Sequence, residues 1–171
     1  MSVAARKSLA GRARVLGDDV NTDYIISSRR KKDSLDPLVL RQYLLEDVAP
    51  GFAASVRDGD ILVAGRNFGC GSAMEVAVTV VRGAGIQAVV ARSFARTYWR
   101  NAINNGLLAL TADTSGIAEG ARLAIEIDGE GTRIRVEGGE SIAAEPLPEF
   151  VLAMRDAGGL LPYLRRHGRL I

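Results

Sequence analysis

Short apolar runs and amphipathic stretches alternate through the middle of the chain. The apolar runs that predict strands are 61–65, 87–94 and 107–113, and the helical patterns between them are 73–85 and 95–106. Glycines end the first helical pattern, and the Asn105-Gly106 pair ends the second, as is typical of helix C-termini. This order of elements predicts an α/β unit with parallel strands.

The segments before this unit have weaker patterns. We predict a strand at 11–16, a loop rich in Asp, Asn and Thr at 17–23, a short strand or bend at 24–26, an exposed basic loop at 27–37, a helix at 38–45 and an irregular link at 48–60. Asp36 and Pro37 fit the cap and first position of the 38–45 helix.

The segment after the α/β unit predicts a β-hairpin followed by helices. Leu123, Ile125 and Ile127 share one face of a strand, and Ile134 and Val136 share the face of another across a DGEG turn. A helix is predicted at 148–156, then a Gly-Gly break and a short terminal helix.

Composition indicates one soluble domain over residues 1–171. The 22 basic residues nearly balance the 20 acidic residues, and aromatic residues make up only 5%, so the composition argues against a nucleic-acid partner. No apolar run approaches the roughly 20 residues of a membrane helix. The start of the chain has basic residues but no apolar block of a secretory signal, so we expect a cytoplasmic location.

The chain contains one cysteine and one histidine. A structural zinc site needs about four Cys or His ligands, and an iron–sulfur cluster needs about three or four thiolates, so this chain alone holds neither. His167 lies in the terminal segment PYLRRHGRLI, which predicts a surface residue and argues against a Ser-His-Asp triad.

The stretch NFGCGSAMEV, residues 67–76, links a predicted strand to a predicted helix. Such a turn directs backbone N–H groups at one point, which favours an anion. It lacks the third glycine of a dinucleotide motif and the GK[ST] of a phosphate loop. Cys70 fits either a reactive thiol or a small buried residue, and Ser72 fits either an N-cap or an alkoxide base.

Several motifs together resemble the small subunit of 3-isopropylmalate dehydratase, a family similar to the C-terminal swivel domain of aconitase. They are GDDVNTDYII, GRNFGCGS, ARSFAR, RNAINNGLLAL and PEFVLAMRDAGGLLPYLRR, and the match runs from about residue 11 to residue 166. The resemblance implies an α/β fold of the aconitase swivel type. This fold has three layers (β/β/α), a partly parallel sheet, a β-hairpin and a C-terminal helical segment.

The resemblance also implies a function. Family members dehydrate and isomerise a hydroxy di- or tricarboxylic acid, here 3-isopropylmalate and 2-isopropylmalate of leucine biosynthesis. The [4Fe-4S] cluster belongs to a large subunit on another chain, which implies a heterodimer or a higher assembly and no cofactor in this chain. The family serine that removes the proton matches Ser72. The implied substrate-binding residues are Thr22, Asp23, Arg29, Arg30, Gly71 and Arg96.

Departures from the family pattern leave other functions open. The family motif GSSREHA has an arginine where this chain has Met74, which we expect to line the pocket, and the loop IIPxRYL reads IISSRRK, with Arg29 retained. Methionine cannot replace an arginine–carboxylate bond. The alternatives are a subunit for another alkylated malate or a homoaconitate-like acid, a binding paralogue without catalysis, and an RNA-binding relative.

Overall fold

The computed structural model describes residues 7–170, and their strands form one seven-stranded sheet in the order β4-β3-β2-β1-β5-β6-β7. The strands are β1 Lys7–Val15, β2 Ile61–Ala64, β3 Ala88–Ala91, β4 Leu108–Thr111, β5 Arg122–Asp128, β6 Gly131–Val136 and β7 Ser141–Ala144. Strands β1 to β4 run parallel, and β5 to β7 extend the sheet antiparallel from β1.

Seven α-helices and two 3-10 helices accompany the sheet in the described range. The α-helices are α1 Thr22–Ile25, α2 Pro37–Leu40, α3 Phe52–Ser55, α4 Val76–Gly83, α5 Arg96–Asn104, α6 Glu149–Ala157 and α7 Leu160–His167, and the 3-10 helices are Ser28–Lys32 and Arg41–Tyr43. Helices α4 and α5 are the crossovers between the parallel strands β2, β3 and β4. Within residues 7–170, none of the helices combines the length and the apolar character that crossing a membrane requires.

Strand β1 joins the two halves of the sheet. Its first part pairs antiparallel with β5, where Leu9 faces Ile125, and its last part pairs parallel with β2, where Ala13 faces Ile61. The two outer strands approach each other, because the N–H of Glu145 donates to the carbonyl of Thr111 at 2.8 Å. The sheet is therefore almost closed.

The two larger of three apolar clusters within residues 7–170 separate three layers, and the smaller third cluster lies between α5 and the C-terminal helices. One core lies between the helices and one face of the parallel strands, which contribute Leu62, Val89 and their neighbours. The other lies between the opposite face of those strands, with Ile61 and Val90, and the antiparallel half. Strands buried on both faces read as continuous apolar runs, which is why the sequence pattern identified them. The predicted swivel fold is confirmed.

Several predictions for individual elements are wrong. The loop predicted at 27–37 contains the 3-10 helix Ser28–Lys32, and the irregular link predicted at 48–60 contains α3. Residues 24–26 were predicted to be a short strand or bend, but Tyr24 and Ile25 belong to the short helix α1 and only Ile26 forms a bend. Asn21 caps α1 by accepting from the N–H of Asp23 at 2.9 Å. The helix predicted at 73–85 begins only at Val76, with Glu75 in the cap position. The helix predicted at 38–45 ends at Leu40 and continues as a 3-10 turn.

Strand β7 was not predicted at all. It is four residues long and contains a single β-branched residue, Ile142, so its propensity is low. Pairing with β6, where Ile134 faces Ile142, compensates for that weak local preference. The predicted hairpin, the helix at 148–156 and the terminal helix are confirmed, with the Gly158-Gly159 break between the two helices.

Candidate active site at the carboxyl ends of the parallel strands

The loops that follow β1 and β2 lie side by side beyond the sheet. Three backbone bonds connect them: Gly65 N–H to Gly17 at 3.1 Å, Asp19 N–H to Arg66 at 2.8 Å, and Gly69 N–H to Val20 at 2.8 Å. The loops thus continue the parallel pairing of their strands. Ligands of open α/β sheets bind beyond the carboxyl ends of the strands, which is where these loops meet.

The loop that follows β3 supports the glycine turn from the other side. Phe68 donates its N–H to Ser93 at 3.0 Å, and its carbonyl accepts from Ala95 at 2.9 Å. The ring of Phe68 meets the ring of Tyr98 edge-on, with centroids 5.1 Å apart. Burial raises the pKa of Tyr98, so its hydroxyl stays protonated and donates to the Ala77 carbonyl at 3.0 Å. The loops after β1 and β3, together with Tyr98 of α5, therefore hold the turn in place.

Two glycines of the turn have conformations and surroundings that exclude a side chain. Gly69 has φ 80°, and a Cβ there would lie 2.2 Å from the Tyr98 ring. Gly71 has φ 92°, and a Cβ there would lie 2.5 Å from the side-chain oxygen of Asn21. Glycine alone tolerates such positive φ without strain. This geometry fits the predicted glycine turn, and the substrate-binding role expected for Gly71 stays a prediction.

Ser72 is exposed and lies outside any helix. Its carbonyl accepts the Thr22 hydroxyl and the Met74 N–H, both at 2.9 Å. Its own hydroxyl has no hydrogen-bond partner among residues 7–170. The N-cap interpretation of Ser72 is therefore wrong, because α4 begins at Val76 and its cap position is Glu75. The fixed backbone leaves the hydroxyl available for chemistry.

Backbone N–H groups next to this hydroxyl are also available. Within the described range, the N–H groups of Gly71, Ser72 and Ala73 donate to no acceptor. Gly71 is left-handed at φ 92°, and consecutive N–H groups around such a residue form a concavity that binds anions. An anion preference of the turn stays a prediction, and this geometry assigns it to the loop rather than to the N-terminus of α4.

Thr22 and Asp23 take different places beside the turn. Thr22 is 1% exposed, and its N–H and hydroxyl donate to the carbonyls of Cys70 and Ser72. Thr22 therefore holds the glycine turn from its buried side. Asp23 is exposed, with its carboxylate at the surface. Asn21, which contacts Gly71, was not predicted. The sequence could have indicated Asn21 as a helix N-cap, because asparagine is a preferred residue at that position.

Cys70 is a free, partly exposed thiol in this turn. The only histidine of the chain is distant in sequence and stacks on Tyr163, with ring centroids 4.3 Å apart. His167 is exposed, as predicted. No histidine base is thus assigned to Cys70 or Ser72. Among residues 7–170 there is also no group of three or more His, Cys, Asp or Glu that could hold a metal ion.

Arg29 and Arg30 lie on the 3-10 helix Ser28–Lys32, and the acidic residues Glu46 and Asp47 bind them. Arg29 forms ion pairs with Asp47 at 3.0 Å and with Glu46 at 3.2 Å. Arg30 binds both oxygens of Glu46 at 2.8 Å. These acidic partners were not predicted, because a separation of 16 to 18 residues leaves no local pattern.

Arg96 is the exposed first residue of α5, directly after the β3 loop. It lines a cleft of about 390 Å³ together with Arg92, Ser93, Trp99 and Thr111. No ion pair to Arg96 occurs in the part of the chain that the structure describes. The Arg96 guanidinium is therefore free to bind an anion in this cleft, which lies beside the β3 loop that supports the glycine turn.

Met74 does not line a pocket, contrary to expectation. Its side chain is 4% exposed and belongs to the core between the helices and the sheet. The backbone explains this placement, because the delayed start of α4 turns residue 74 inward: the Met74 carbonyl accepts from Ala77 at 3.1 Å. The position that holds arginine in the family pattern is thus a core position here.

Comparison with known proteins agrees with this geometry. The 3-isopropylmalate dehydratase small subunit 2 of Archaeoglobus fulgidus is 41% identical over 160 residues, which are 94% of this chain and 96% of that protein. The chain belongs to the family of 3-isopropylmalate dehydratase small subunits. A small subunit 1 from Methanopyrus kandleri is 42% identical over 164 residues, covering 95% of this chain and 96% of that protein.

The fold agrees with this family as well. The crystal structure of 3-isopropylmalate dehydratase from Methanocaldococcus jannaschii superimposes with a TM-score of 0.86 at 38% identity, covering 95% of this chain and 96% of that one. Residues 48–115 match the family model for the aconitase C-terminal domain. The predicted resemblance to the 3-isopropylmalate dehydratase small subunits is confirmed, and with it the hydro-lyase class of the family.

Proposed function

We propose that this chain is the small subunit of a cytoplasmic hydro-lyase that interconverts 3-isopropylmalate and 2-isopropylmalate with a separate large subunit. The observation that carries the proposal is the exposed Ser72 hydroxyl, fixed by Thr22 beside unpartnered backbone N–H groups. It occurs in a chain that matches small subunits of 3-isopropylmalate dehydratase over nearly its whole length.

Ser72 is the proposed base that takes the proton from the substrate carbon. A serine without a histidine partner needs its alkoxide stabilised by other donors. The N–H groups of Gly71, Ser72 and Ala73 are suited to this, because they have no other acceptor in residues 7–170. The hydrogen bond from Thr22 to the Ser72 carbonyl keeps this arrangement fixed while the proton moves.

The substrate carboxylates need cations, and the core position of Met74 removes one from the family set. Arg29 and Arg96 are the remaining cations proposed to meet the carboxylates, because both are exposed, Arg29 on the 3-10 helix Ser28–Lys32 and Arg96 at the start of α5. Asp23, whose carboxylate is exposed, is proposed to accept the substrate hydroxyl. One cation fewer favours an acid with two carboxylates over one with three, which supports isopropylmalate over a homoaconitate-like acid.

The large subunit is the proposed holder of the [4Fe-4S] cluster. Cys70 is the only cysteine of this chain, whereas such a cluster needs several thiolates. The cluster, when bound there, supplies a Lewis acid for the departing hydroxyl. This chain's own part is to orient the acid, to hold the proton at Ser72 and to exclude water from the closed site.

Coexpression with a large subunit that carries the cluster cysteines tests the proposal. We expect the purified complex to consume 3-isopropylmalate and to form the unsaturated intermediate, which absorbs in the ultraviolet. Neither chain alone should do so. A complex that forms but turns over neither isopropylmalate nor a related alkylated malate would contradict the proposal and favour a binding paralogue.

A further inference from the structure

Two arginine–carboxylate forks hold the segment Ser28–Lys32 against the turn that contains Glu46 and Asp47. The two terminal nitrogens of Arg29 contact the two carboxylate oxygens of Asp47 at 3.0 and 3.3 Å. Arg30 contacts both oxygens of Glu46 at 2.8 Å through Nε and a terminal nitrogen. Both contacts have the two-point geometry with which a guanidinium also binds the carboxylate of a small acid.

The two forks differ in how firmly they are held. The Arg30 and Glu46 side chains are 25% and 22% exposed, and the Arg30 guanidinium stacks 3.8 Å above the Tyr43 ring. The Glu46 carboxylate raises the pKa of the Arg30 guanidinium above its usual range. The Arg29 and Asp47 side chains are 57% and 42% exposed. An exposed ion pair is weak and can be exchanged for another partner, whereas the Arg30 fork is an anchor.

The backbone fixes where Asp47 lies. Leu45 is buried and has φ 57°, which is rare for a residue other than glycine, and its N–H donates to the Ile25 carbonyl at 2.9 Å. Left-handed backbone of this kind persists where the surroundings determine it, often at functional sites. This strained residue immediately precedes Glu46 and Asp47, so the fold itself directs the two carboxylates at the arginines.

The contacts of Arg29 use both of its terminal nitrogens. They meet Ser27 Oγ at 3.2 Å, the Asp47 carboxylate at 3.0 and 3.3 Å, and Glu46 at 3.2 Å. A small-molecule carboxylate that bound the same edge of the guanidinium would have to displace Asp47. Arg29 is the residue whose charge the proposed function assigns to the substrate.

We propose that the Asp47 carboxylate occupies the position on Arg29 at which a substrate carboxylate binds. Substrate binding then exchanges the Asp47 carboxylate for that of the substrate, and in this way Asp47 determines substrate affinity. The Arg30–Glu46 fork keeps the segment in register during the exchange. This inference rests on the proposed function, since it takes Arg29 as a substrate ligand. No covalent bond is made or broken in the exchange, and Arg29 remains paired with one carboxylate.

Steady-state kinetics of the complex with the large subunit test the exchange. Asp47→Asn should lower KM for 3-isopropylmalate about twofold to fivefold with kcat unchanged, the range expected when an exposed pair no longer competes for a ground-state contact. Asp33→Asn is the matched control, because Asp33 pairs with Arg30 at 3.2 Å and not with Arg29. It removes the same charge from a residue that also pairs with the Ser28–Lys32 segment and should leave KM within about twofold.

A double-mutant cycle with Arg29→Ala gives the decisive comparison. If Asp47 acts through Arg29, Asp47→Asn has no further effect on KM in the Arg29→Ala background. The inference is overturned if Asp47→Asn raises KM, or if Asp33→Asn lowers KM as much as Asp47→Asn does. It is also overturned if Asp47→Asn lowers KM equally in the wild-type and Arg29→Ala backgrounds. In each of those cases an active wild-type complex leaves the proposed function standing, whereas an inactive wild-type complex overturns both.

Discussion

The hydroxyl of Thr22 donates to the carbonyl of Ser72 at 2.9 Å, while the N–H of Thr22 donates to the carbonyl of Cys70 at 2.8 Å. One buried threonine therefore binds two carbonyls of the glycine turn from the neighbouring loop. The position of the Ser72 hydroxyl depends on a residue that is itself too buried to reach a substrate. Thr22, expected from the resemblance to bind substrate, is better described as a positioning residue.

Thr22→Val should separate positioning from folding. Valine keeps the shape but removes one of the two donors of the Ser72 carbonyl and leaves it the Met74 N–H, which typically reduces the free energy of unfolding by about 0.5–1.5 kcal/mol. We expect kcat of the complex to fall at least about tenfold, because a small displacement of a reacting group has effects of that size. Thr22→Ser retains the hydroxyl and should restore most of kcat, which a purely structural role would not require.

Gly71→Ala should disrupt the turn. The new Cβ would lie 2.5 Å from the Asn21 side chain on a backbone with φ 92°, so we expect a loss of about 1–3 kcal/mol of stability and most of the activity. Gly17→Ala is the control from the adjacent loop, since a Cβ there has no atom within 4 Å. A fully active Gly71→Ala complex would show that the turn conformation is not needed.

Met74→Arg should not restore a carboxylate ligand. The structure buries this side chain in the core, so an unpaired guanidinium there should reduce the free energy of unfolding by more than about 3 kcal/mol. Met74→Leu conserves volume and should cost less than about 1.5 kcal/mol. Urea unfolding of both variants tests this. A stable Met74→Arg chain with altered substrate preference would mean that residue 74 faces the site.

Asp60 should make the fold sensitive to acid. Its buried carboxylate bonds Arg12 at 2.8 and 3.1 Å. Burial alone would raise the pKa of Asp60, but the hydrogen bonds from Arg12 and the Arg57 N–H outweigh it and lower the pKa. The stability that Asp60 contributes is therefore present above the unfolded-state pKa of about 4 and is lost as pH falls through the lower folded-state value.

Asp60→Asn tests this pH dependence. At pH 7 the variant should lose about 3 kcal/mol of unfolding free energy, because Arg12 and the largely buried Arg14 lose their shared partner. The difference from wild type should shrink as the pH falls below the usual carboxyl range. Asp113→Asn, which alters an exposed carboxylate, is the control and should change stability far less. A difference that stays constant down to the acid limit contradicts this account.

Most of the fold was predictable because its strands are buried on both faces or alternate clearly, and because glycines mark the helix ends. The start of α4 was not, since residues 73–75 have good helix propensity and tertiary contacts keep them out of the helix. Those contacts include Thr22 on Ser72 and the burial of Met74. Local propensity is a weak guide where two distant loops share hydrogen bonds.

The candidate site was predictable mainly through motif resemblance. The pattern GRNFGCGS located Ser72, but its surroundings depend on loops about 50 residues apart in sequence. The contacts of Arg29 and Arg30 with Glu46 and Asp47 were not predictable, because the left-handed Leu45 that directs the acidic pair has no sequence signature. Leucine disfavours φ 57°, but the side chain of Leu45 is buried and its N–H is bonded to Ile25, contacts that a local pattern does not indicate.

The kcat of Ser72→Ala in the complex with the large subunit tests the central claim most directly. Removing a general base lowers kcat about 10²- to 10⁴-fold, and because Ser72 is exposed and caps no helix, the unfolding free energy should stay within about 0.5 kcal/mol of wild type. Ser8→Ala, at an exposed serine of β1, is the matched control and should match wild type in both measurements. A Ser72→Ala complex with near wild-type kcat would contradict the account.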